Sequence, residues 1–377
     1  MTTEKTEIAV IGGGTMGSMI SWRLSSRGYK VICVEAHGVA HSRSAVAGDS
    51  RLFRRSYRGT TELNDVLATA EEQWNALNSA SSENVFVNCG GLYIGQTDGQ
   101  YLSELEACCQ RNKLEYEVLS ASEIRQRFPQ HRVKEDESGL YEPSAGFLRT
   151  ERAVHAAFRL AKAAGTRVIS KTQVMNVRDA EDEVRVNYEG GTISADFAVI
   201  AAGTGSPSLL PTGMRNSLEQ RREILTWFPV LSPAEFSPEN FPIFVHIDEE
   251  YSAYGAPALD GSVLKSTLDD RARPIDNYPG HRYTLTPDEI VESEATAARF
   301  FNGIDPEVSR QECLADLYTS DRQAIVGRLP ESSRTFVATG FSGAGFKMSA
   351  GVGEMLAQSI TGESHGLPSF WDPSRFS

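Results

Sequence analysis

The sequence predicts a mixed α/β protein of about two domains, and three observations lead to this fold class. The chain has 377 residues, and one domain takes roughly 150. Residues 8–11 form a short, largely β-branched run, which is typical of a strand buried on both faces. A glycine-rich turn and a helical stretch follow this run directly, and a second buried run, residues 195–200, lies far downstream.

The first strand leads into a turn that fits the pattern G-x-G-x-x-G. Gly12 allows the tight turn, Gly14 lets the backbone approach a pyrophosphate, and Gly17 permits close packing of helix on strand. We expect a helix over residues 18–28 and a second strand over residues 30–34. This order of elements is that of a Rossmann-like dinucleotide fold.

The second strand ends at Glu35, about 20 residues after the turn, where a carboxylate accepts hydrogen bonds from an adenosine ribose. The start of the helix offers unpaired N–H groups and a positive dipole end to phosphates. A glycine-rich turn without a ligand is the alternative, but the strands, helix and acid together favour a dinucleotide. A glutamate here argues against a 2′-phosphate. Both FAD and NAD fit the turn. Two features favour FAD: the turn lies close to residue 1, and a downstream strand ends in small residues at Gly203.

Composition narrows the class further. Lysine plus arginine is 37 and aspartate plus glutamate is 50, a formal charge of −13, which disfavours nucleic acid and anionic membranes as partners. No apolar run reaches the length of a signal peptide or of a membrane span. We therefore expect a soluble, cytoplasmic protein without a metal, with surface loops at residues 79–82 and 271–283. The five cysteines are too sparse for a disulfide framework or zinc site: Cys33, Cys89, Cys108, Cys109 and Cys313.

Three further motifs carry a resemblance to a known family. They are Gly48-Asp49-Ser50-Arg51-Leu52-Phe53-Arg54 with Tyr57 after it, Leu317-Tyr318-Thr319-Ser320-Asp321, and Gly340-Phe341-Ser342-Gly343-Ala344-Gly345-Phe346-Lys347. With the glycine-rich turn, they resemble the monomeric sarcosine oxidase and N-methyltryptophan oxidase family, within the D-amino-acid-oxidase-like flavoproteins. The resemblance runs from about Glu7 to Gly362.

The resemblance implies two domains and an activity. A discontinuous FAD-binding domain would take residues 1–84, 141–215 and 310–377, and a mixed-sheet substrate-binding domain residues 85–140 and 216–309. Family members oxidise the C–N bond of an amine to an imine, and dioxygen is then reduced to hydrogen peroxide. The expected substrate is a carboxylate-bearing, secondary amine, and family habit implies a monomer.

Individual roles follow from the matching positions. Arg54 and Lys347 match the pair that binds the substrate carboxylate, which suits a guanidinium and an ammonium. Lys265 resembles the lysine that favours electron transfer to dioxygen, and Tyr254 resembles a substrate-side tyrosine. Without the resemblance, Arg54 could instead form a surface ion pair, Lys265 is better explained as a solvent-facing strand lysine, and Tyr254 could be a core aromatic. The predicted cofactor-binding residues are Gly12, Gly14, Thr15, Met16, Gly17, Glu35, Ser44, Arg51, Val174, Gly203, Tyr318, Thr319, Gly343, Gly345 and Lys347, and Gly343 is also assigned to the substrate.

Three positions depart from the family pattern. Asp316 stands where the family has the cysteine that attaches FAD, and Cys313 points to the opposite face of an extended segment. We therefore predict non-covalent FAD. Asp269, followed by Asp270, replaces a substrate-side histidine, which suggests a cationic or polar substrate group or else an exposed acidic turn. Ala47 replaces another histidine, which makes sarcosine itself a poorer candidate.

Three other functions are weighed against this one. An FAD-dependent dehydrogenase would pass electrons to an acceptor other than oxygen, and Lys265 argues against it. An NAD-dependent oxidoreductase is disfavoured by the C-terminal glycine-rich motif. A flavin-binding sensor without turnover is disfavoured because four residues that match the family's site are all present: Arg51, Arg54, Lys265 and Lys347.

Overall fold

The computed structural model describes residues 2–42, 44–57, 61–269, 271–275, 284–364 and 366–376. The helices are α1 Thr15–Ser25, α2 Thr61–Ser81, α3 Gln100–Asn112, α4 Ala121–Arg127, α5 Thr150–Ala163, α6 Thr212–Asn216, α7 Pro287–Phe300 and α8 Gly345–Thr361, with 3-10 turns at Gly203–Leu209, Ser369–Trp371 and Pro373–Phe376. The strands are β1 Thr2–Ile11, β2 Val31–Val34, β3 Ser50–Phe53, β4 Phe86–Asn88, β5 Gly91–Gln96, β6 Glu117–Ser120, β7 Glu137–Glu142, β8 Gly146–Arg149, β9 Arg167–Ile169, β10 Val174–Asp179, β11 Val184–Tyr188, β12 Gly191–Ile200, β13 Leu218–Pro229, β14 Ile243–Ile247, β15 Ser252–Ala256, β16 Val263–Leu268, β17 Arg273–Pro274, β18 Arg310–Thr319, β19 Ile325–Arg328 and β20 Thr335–Thr339.

The first sheet carries the predicted nucleotide turn. Its order is β10-β11-β12-β1-β2-β9, with β20 beside β12 and β19 beside β20. Strands β12, β1, β2 and β9 run parallel, and β20 is parallel to β12. Successive side chains of β1 enter two different cores: Ile8 and Val10 pack with the helices, whereas Ala9 and Ile11 pack with β11 and β12. This alternation explains why the whole run is apolar.

The second sheet has nine strands in the order β17-β13-β16-β15-β14-β5-β7-β6, with β18 paired to β13. Its pairs are antiparallel except for β14 with β5. A small third sheet has the order β3-β8-β4. The fold class predicted from the sequence, α/β with mixed sheets, is confirmed.

The predicted domain division stays a prediction, and two of its boundaries meet strands. The boundary at residue 140 falls inside β7. The segment that begins at residue 310 opens with β18, which pairs along its length with β13 in the second sheet. Strand β18 therefore links the region assigned to the cofactor with the sheet assigned to the substrate.

Local boundaries differ from the sequence prediction in four places. Helix α1 covers residues 15–25 rather than 18–28, since Gly14 is its N-cap and a turn to Gly28, at φ +88°, follows its end. The second strand begins at Val31. Residues 79–81 are the last turn of α2 rather than a loop, and the hydroxyls of Ser79 and Ser81 bond to carbonyls four residues back. In the other predicted loop, Arg273–Pro274 is a strand and residues 276–283 lie outside the described residues.

Helices α1 and α8 pack against each other beside the first sheet. A Cβ at Gly353 would approach Met19 to 2.9 Å, so the two helices are in close contact there. At the same interface the carboxylate of Glu354 accepts hydrogen bonds from Arg23 Nε at 2.6 Å and Arg27 Nη2 at 2.7 Å. Among the described residues, no helix combines the length and apolar character that crossing a bilayer requires.

Candidate active site

A cavity of about 1130 Å³ lies where the two large sheets meet. Its wall is formed by the glycine-rich turn, the segment around β3, strands β13, β15 and β18, and the loop that leads into α8. Sites for small molecules usually measure roughly 300–1,000 Å³. The cavity therefore has the room that a dinucleotide and a small substrate together require.

The glycine-rich turn has the geometry of a phosphate-binding turn. Gly12 has φ +101°, and a Cβ there would lie 2.4 Å from the carbonyl oxygen of Ala201. A Cβ at Gly17 would lie 1.8 Å from the carbonyl oxygen of Gly12, so this glycine lets α1 pack against the turn. Gly14 has no atom within 4 Å of the position of a Cβ, and it borders the cavity. Open space beside Gly14 at the start of α1 is what a pyrophosphate needs.

Glu35 closes this end of the cavity. Its carboxylate accepts hydrogen bonds from the backbone N–H of Gly13 at 2.6 Å and of His37 at 2.7 Å, one to each oxygen. The side chain is buried and borders the cavity. Each carboxylate oxygen keeps a second acceptor site, so the fixed Glu35 can still bind ribose hydroxyl groups.

The structure brings most of the predicted site residues together. Gly17 lies behind the turn, and Thr319 bonds to the carbonyl of Gln323. Neither of these residues, nor Lys265, borders the cavity in the described part of the chain. The predicted residues that do border it are Gly12, Gly14, Thr15, Met16, Glu35, Ser44, Arg51, Arg54, Val174, Gly203, Tyr254, Asp269, Tyr318, Gly343, Gly345 and Lys347.

Arg54 and Lys347, which are 293 positions apart in the sequence, meet at one aromatic ring. The guanidinium carbon of Arg54 lies 5.0 Å from the ring centroid of Tyr57, and Nζ of Lys347 lies 4.5 Å from the same centroid. Arg54 also lies 4.8 Å from the ring of Tyr93 and donates to Tyr101 Oη at 3.2 Å. The pair forms a local positive site in an acidic protein, and its ammonium lowers the pKa of Tyr57.

Arg51 lies on β3 and is fixed by backbone acceptors. Its Nη1 donates to the carbonyl of Ser50 at 2.7 Å, and its Nη2 donates to the carbonyls of Ala45 at 3.1 Å and Ala47 at 2.9 Å. Because uncharged carbonyls are its hydrogen-bond partners, the guanidinium places a fixed positive charge in the cavity wall.

Lys265, predicted to lie near the flavin, is not among the described residues that border the cavity. Its ammonium group is buried, donates to the carbonyls of Gly48 at 2.9 Å and Ser50 at 2.8 Å, and lies 5.2 Å from the ring of Trp227. Burial and the nearby Arg51 lower its pKa well below the ordinary value for lysine. In this geometry Lys265 holds the turn that carries Arg51, one layer behind the cavity surface.

Besides Glu35, three carboxylates line the cavity, one on β13, one directly after β16 and one on β18, and sequence analysis missed one of them. Glu223 follows two arginines on β13, a context that reads as a solvated ion-pair segment. The structure instead turns it into the cavity, where it accepts a hydrogen bond from Tyr318. Burial raises the pKa of Glu223. The other two carboxylates are Asp269 and Asp316, whereas Asp270 lies outside the described residues.

Asp316 fixes the loop before α8. Its Oδ2 accepts from the N–H of Gly343 at 3.0 Å, and its Oδ1 accepts from the N–H of Leu317 at 2.8 Å. Cys313 is three residues earlier on β18, where it packs with Ile224 and Leu285 and does not border the cavity. Of the two positions, only Asp316 borders the cavity, and a carboxylate cannot form a thioether.

Comparison with known proteins decides the family. A family model described as FAD dependent oxidoreductase matches residues 7–359. The chain belongs to this family. Monomeric sarcosine oxidase from Bacillus sp. (strain B-0618) is 27% identical over 95% of this chain and 93% of its own, and N-methyl-L-tryptophan oxidase from Salmonella dublin is 28% identical over 96% of each. The solved structure of NikD, described as an unusual amino acid oxidase essential for nikkomycin biosynthesis, superposes with a TM-score of 0.86 at 21% identity and covers 98% of both chains.

Three predictions from the sequence are confirmed by these findings: the family, the fold class and the class of enzyme. The protein is an FAD-dependent oxidoreductase of the amine and amino-acid oxidase family. The open space at Gly14, the buried Glu35 and the large cavity fit FAD. The roles of the individual site residues remain predictions.

Proposed function

We propose that the protein oxidises the C–N bond of a carboxylate-bearing, secondary amine to an imine, with dioxygen as the electron acceptor and hydrogen peroxide as the product. One observation carries the proposal: Arg54 and Lys347 converge on Tyr57 in the same cavity that begins at the glycine-rich turn. Two fixed cations suit a carboxylate. The names of the two relatives, a sarcosine oxidase and an N-methyl-L-tryptophan oxidase, agree with an N-alkyl amino acid.

The protein contributes binding and orientation to this reaction. FAD supplies the redox chemistry, since it accepts a hydride equivalent from the amine carbon and is reoxidised by oxygen. Gly12, Gly14 and Glu35 would hold its adenosine diphosphate part. Arg54 and Lys347 would fix the carboxylate, which limits the positions open to the neighbouring amine carbon. The buried walls favour the neutral amine, the form that loses a hydride equivalent.

A screen for hydrogen peroxide tests this function. N-methyl, cyclic and cationic amino acids are tested one at a time. Each is compared with the matching amine that lacks the carboxylate. We expect peroxide only from carboxylate-bearing substrates, and Arg54→Gln should raise the KM by roughly tenfold to a hundredfold. If the amines without a carboxylate were turned over as fast as the matching amino acids, the proposal of a carboxylate-bearing substrate would be overturned.

We also propose that FAD is bound without a covalent bond. The support is that Asp316, which cannot form a thioether, holds the cavity position and Cys313 does not. Acid precipitation separates the cases, since non-covalent flavin stays in the supernatant. Yellow colour that remains in the washed pellet would contradict the proposal.

The side chain of the substrate is proposed to carry a positive charge. Besides Glu35, three carboxylates face the same cavity as Arg54 and Lys347: Glu223, Asp269 and Asp316. A substrate with a carboxylate and a positively charged side chain would therefore find a group of opposite charge for each. The peroxide screen should then show a lower KM for N-methyl lysine than for N-methyl norleucine, which has a similar length without the charge. An equal KM for the two would remove the acidic residues from recognition.

A second candidate is an FAD-dependent dehydrogenase, and the position of Lys265 favours it. Its ammonium is engaged by two carbonyls and does not border the cavity. Peroxide formation and dye reduction, measured with one substrate, distinguish the two activities. An oxidase should yield close to one peroxide per imine, whereas a dehydrogenase should reduce the dye and yield little peroxide.

A further inference from the structure

Glu142 is a fully buried carboxylate close to the cationic pair, at the end of strand β7. The guanidinium of Arg55 is nearby but contacts Glu71 and Asn64 instead. The hydrogen-bond donors that Glu142 does use are uncharged: the backbone N–H groups of Arg55 and Ser56 and the hydroxyl groups of Ser56, Tyr93 and Ser144. Burying a carboxylate without a cationic partner is costly unless several donors satisfy it. Glu142 therefore holds each of these donors in a fixed place.

Two of the donors are consecutive backbone N–H groups in the segment that follows β3. Oε1 of Glu142 accepts from the N–H of Arg55 at 2.9 Å, and Oε2 accepts from the N–H of Ser56 at 3.2 Å. The hydroxyl group of Ser56 donates to the same Oε2. Arg54 and Tyr57 stand on either side of these two residues. Glu142 therefore fixes the short segment that carries both the guanidinium and the aromatic ring of the proposed carboxylate site.

A second connection from Glu142 to Arg54 passes through Tyr93 on β5. Strands β5 and β7 are paired, and Gly91 lies opposite Glu142. Because Gly91 has no side chain, Tyr93 can lean over it, and a Cβ there would lie 2.4 Å from Oη of Tyr93. This Oη donates to Oε2 of Glu142 at 3.0 Å, and the guanidinium carbon of Arg54 lies 4.8 Å from the centroid of the same ring. Glu142 therefore acts on Arg54 both through the backbone and through a ring.

We propose that Glu142 is a positioning residue of the substrate site, which holds Arg54 and Tyr57 in the arrangement that binds the substrate carboxylate. The inference rests on the proposed recognition of a carboxylate by Arg54 and Lys347. Glu142 is not among the described residues that border the cavity, so it acts through its neighbours and not by contact with the substrate. A planar guanidinium binds a carboxylate best in one orientation, and a misplacement of about 1 Å can cost on the order of a hundredfold.

Glu142→Gln disturbs this arrangement with little change of shape. The amide oxygen of a glutamine can accept from one of the two backbone N–H groups, and the NH₂ group then faces the other N–H in either orientation of the side chain. We expect the segment from Arg54 to Tyr57 to shift as a result. The affinity for FAD should stay unchanged, because the glycine-rich turn and Glu35 are not among the contacts of Glu142.

Equilibrium dialysis of the FAD-saturated holoenzyme tests the inference, with acetate as the probe for the carboxylate site. Arg54→Gln locates the probe, since it should raise the dissociation constant of acetate at least about tenfold. Glu142→Gln should raise it to a similar extent. Unchanged acetate affinity in Glu142→Gln that retains FAD would overturn this inference alone. If the natural protein bound acetate no more tightly than Arg54→Gln does, the proposed carboxylate recognition would be overturned, and this inference with it.

Glu137→Gln is the matched control for a general weakening of the sheet. Glu137 begins the same strand that Glu142 ends, and it is also buried. Its carboxylate likewise accepts from a backbone N–H, that of Lys134, at 2.7 Å. Glu137 is not among the described residues that border the active-site cavity, so acetate affinity should stay unchanged in this variant. An equal loss of affinity in both variants would assign the effect to the sheet and would overturn the positioning role.

Tyr93→Phe gives a readout that a merely structural role would not produce. It keeps the ring beside Arg54 and removes the hydroxyl group that donates to Glu142, so the dissociation constant of acetate should rise roughly threefold or more. In the Glu142→Gln background the same substitution should add almost nothing, because the contact is already disturbed. Effects that multiply fully would overturn the connection through Tyr93. If Glu142→Gln does not retain FAD, Tyr93→Phe alone decides, and unchanged acetate affinity would then overturn the inference.

Discussion

The ring of Tyr57 is the point at which two cations from distant parts of the chain meet. Lys347 lies 4.5 Å and Arg54 lies 5.0 Å from its centroid. A cation over a buried aromatic face gains roughly 0.5–2 kcal/mol, and the ring also keeps the two positive groups in fixed places. The aromatic surface should therefore help to position the carboxylate site, together with the hydroxyl group, which also interacts with the ammonium of Lys347.

Tyr57→Leu tests this role at the residue scale. The substitution removes the face that both cations use, so the KM for a carboxylate substrate should rise about tenfold or more. Tyr57→Phe keeps the face and is the matched control, with a change of less than about threefold. Steady-state kinetics of both variants gives the answer, and equal KM values for the two would show that the ring face is dispensable.

Gly14 offers a second test at this scale. A Cβ there meets no protein atom within 4 Å, so Gly14→Ala should fold. The added methyl group would occupy the space predicted for the pyrophosphate, and FAD affinity should fall at least tenfold. Gly38→Ala is the matched control, because that position is equally open and does not border the cavity. Flavin titration of the two apoproteins compares them, and equal dissociation constants would refute the assigned role.

At the scale of elements, β18 shows what sequence can predict. Alternation along an extended segment correctly places Asp316 and Cys313 on opposite faces, because this rule depends only on local geometry. The contact of Asp316 with Gly343 depends on how β18 meets the loop before α8, and no local pattern contains that information. The same reason explains the missed Glu223, whose partner Tyr318 is on a strand 95 residues away in the sequence.

Asp316→Cys makes the covalent question testable on β18. The substitution restores the residue type that the family resemblance implies at this position, in the cavity wall. We expect flavin colour to remain in the acid-precipitated pellet of Asp316→Cys. Asp316→Ala, which lacks the thiol and the acceptor for Gly343, is the control and should release its flavin. Release from the cysteine variant as well would show that position 316 does not reach the flavin.

In the whole molecule, local motifs that the sequence identifies come together in an arrangement that the sequence alone does not predict. The glycine-rich turn was predictable because strand, turn, helix and acid are consecutive. The meeting of Arg54 with Lys347 was expected only through the family resemblance. The position of Lys265 behind the cavity could not be predicted, because it depends on the packing of β16 against the turn at Gly48 and Ser50.

The contact between α1 and α8 gives a test at this scale, since it joins the two ends of the chain. Burial by itself would raise the pKa of Glu354, but hydrogen bonds from Arg27 and Arg23 outweigh burial and lower it. The unfolded chain therefore binds the proton more tightly than the native protein does. The resulting stability is present above about pH 4.3, the ordinary pKa of glutamate, and is lost as the pH falls through the lower native pKa.

Glu354→Gln should reduce the free energy of unfolding by about 1–2 kcal/mol at pH 7. The difference from the natural protein should shrink as the pH falls below about 4.3, because the protonated glutamate then resembles glutamine in charge. Denaturant unfolding of both proteins, at pH 7 and below about pH 4.3 with saturating FAD, measures this difference in unfolding free energy. Glu363→Gln, at a more exposed partner of Arg27, is the control and should cost less. A loss that is as large at low pH as at pH 7 would assign the effect to packing between α1 and α8 rather than to the charge of Glu354.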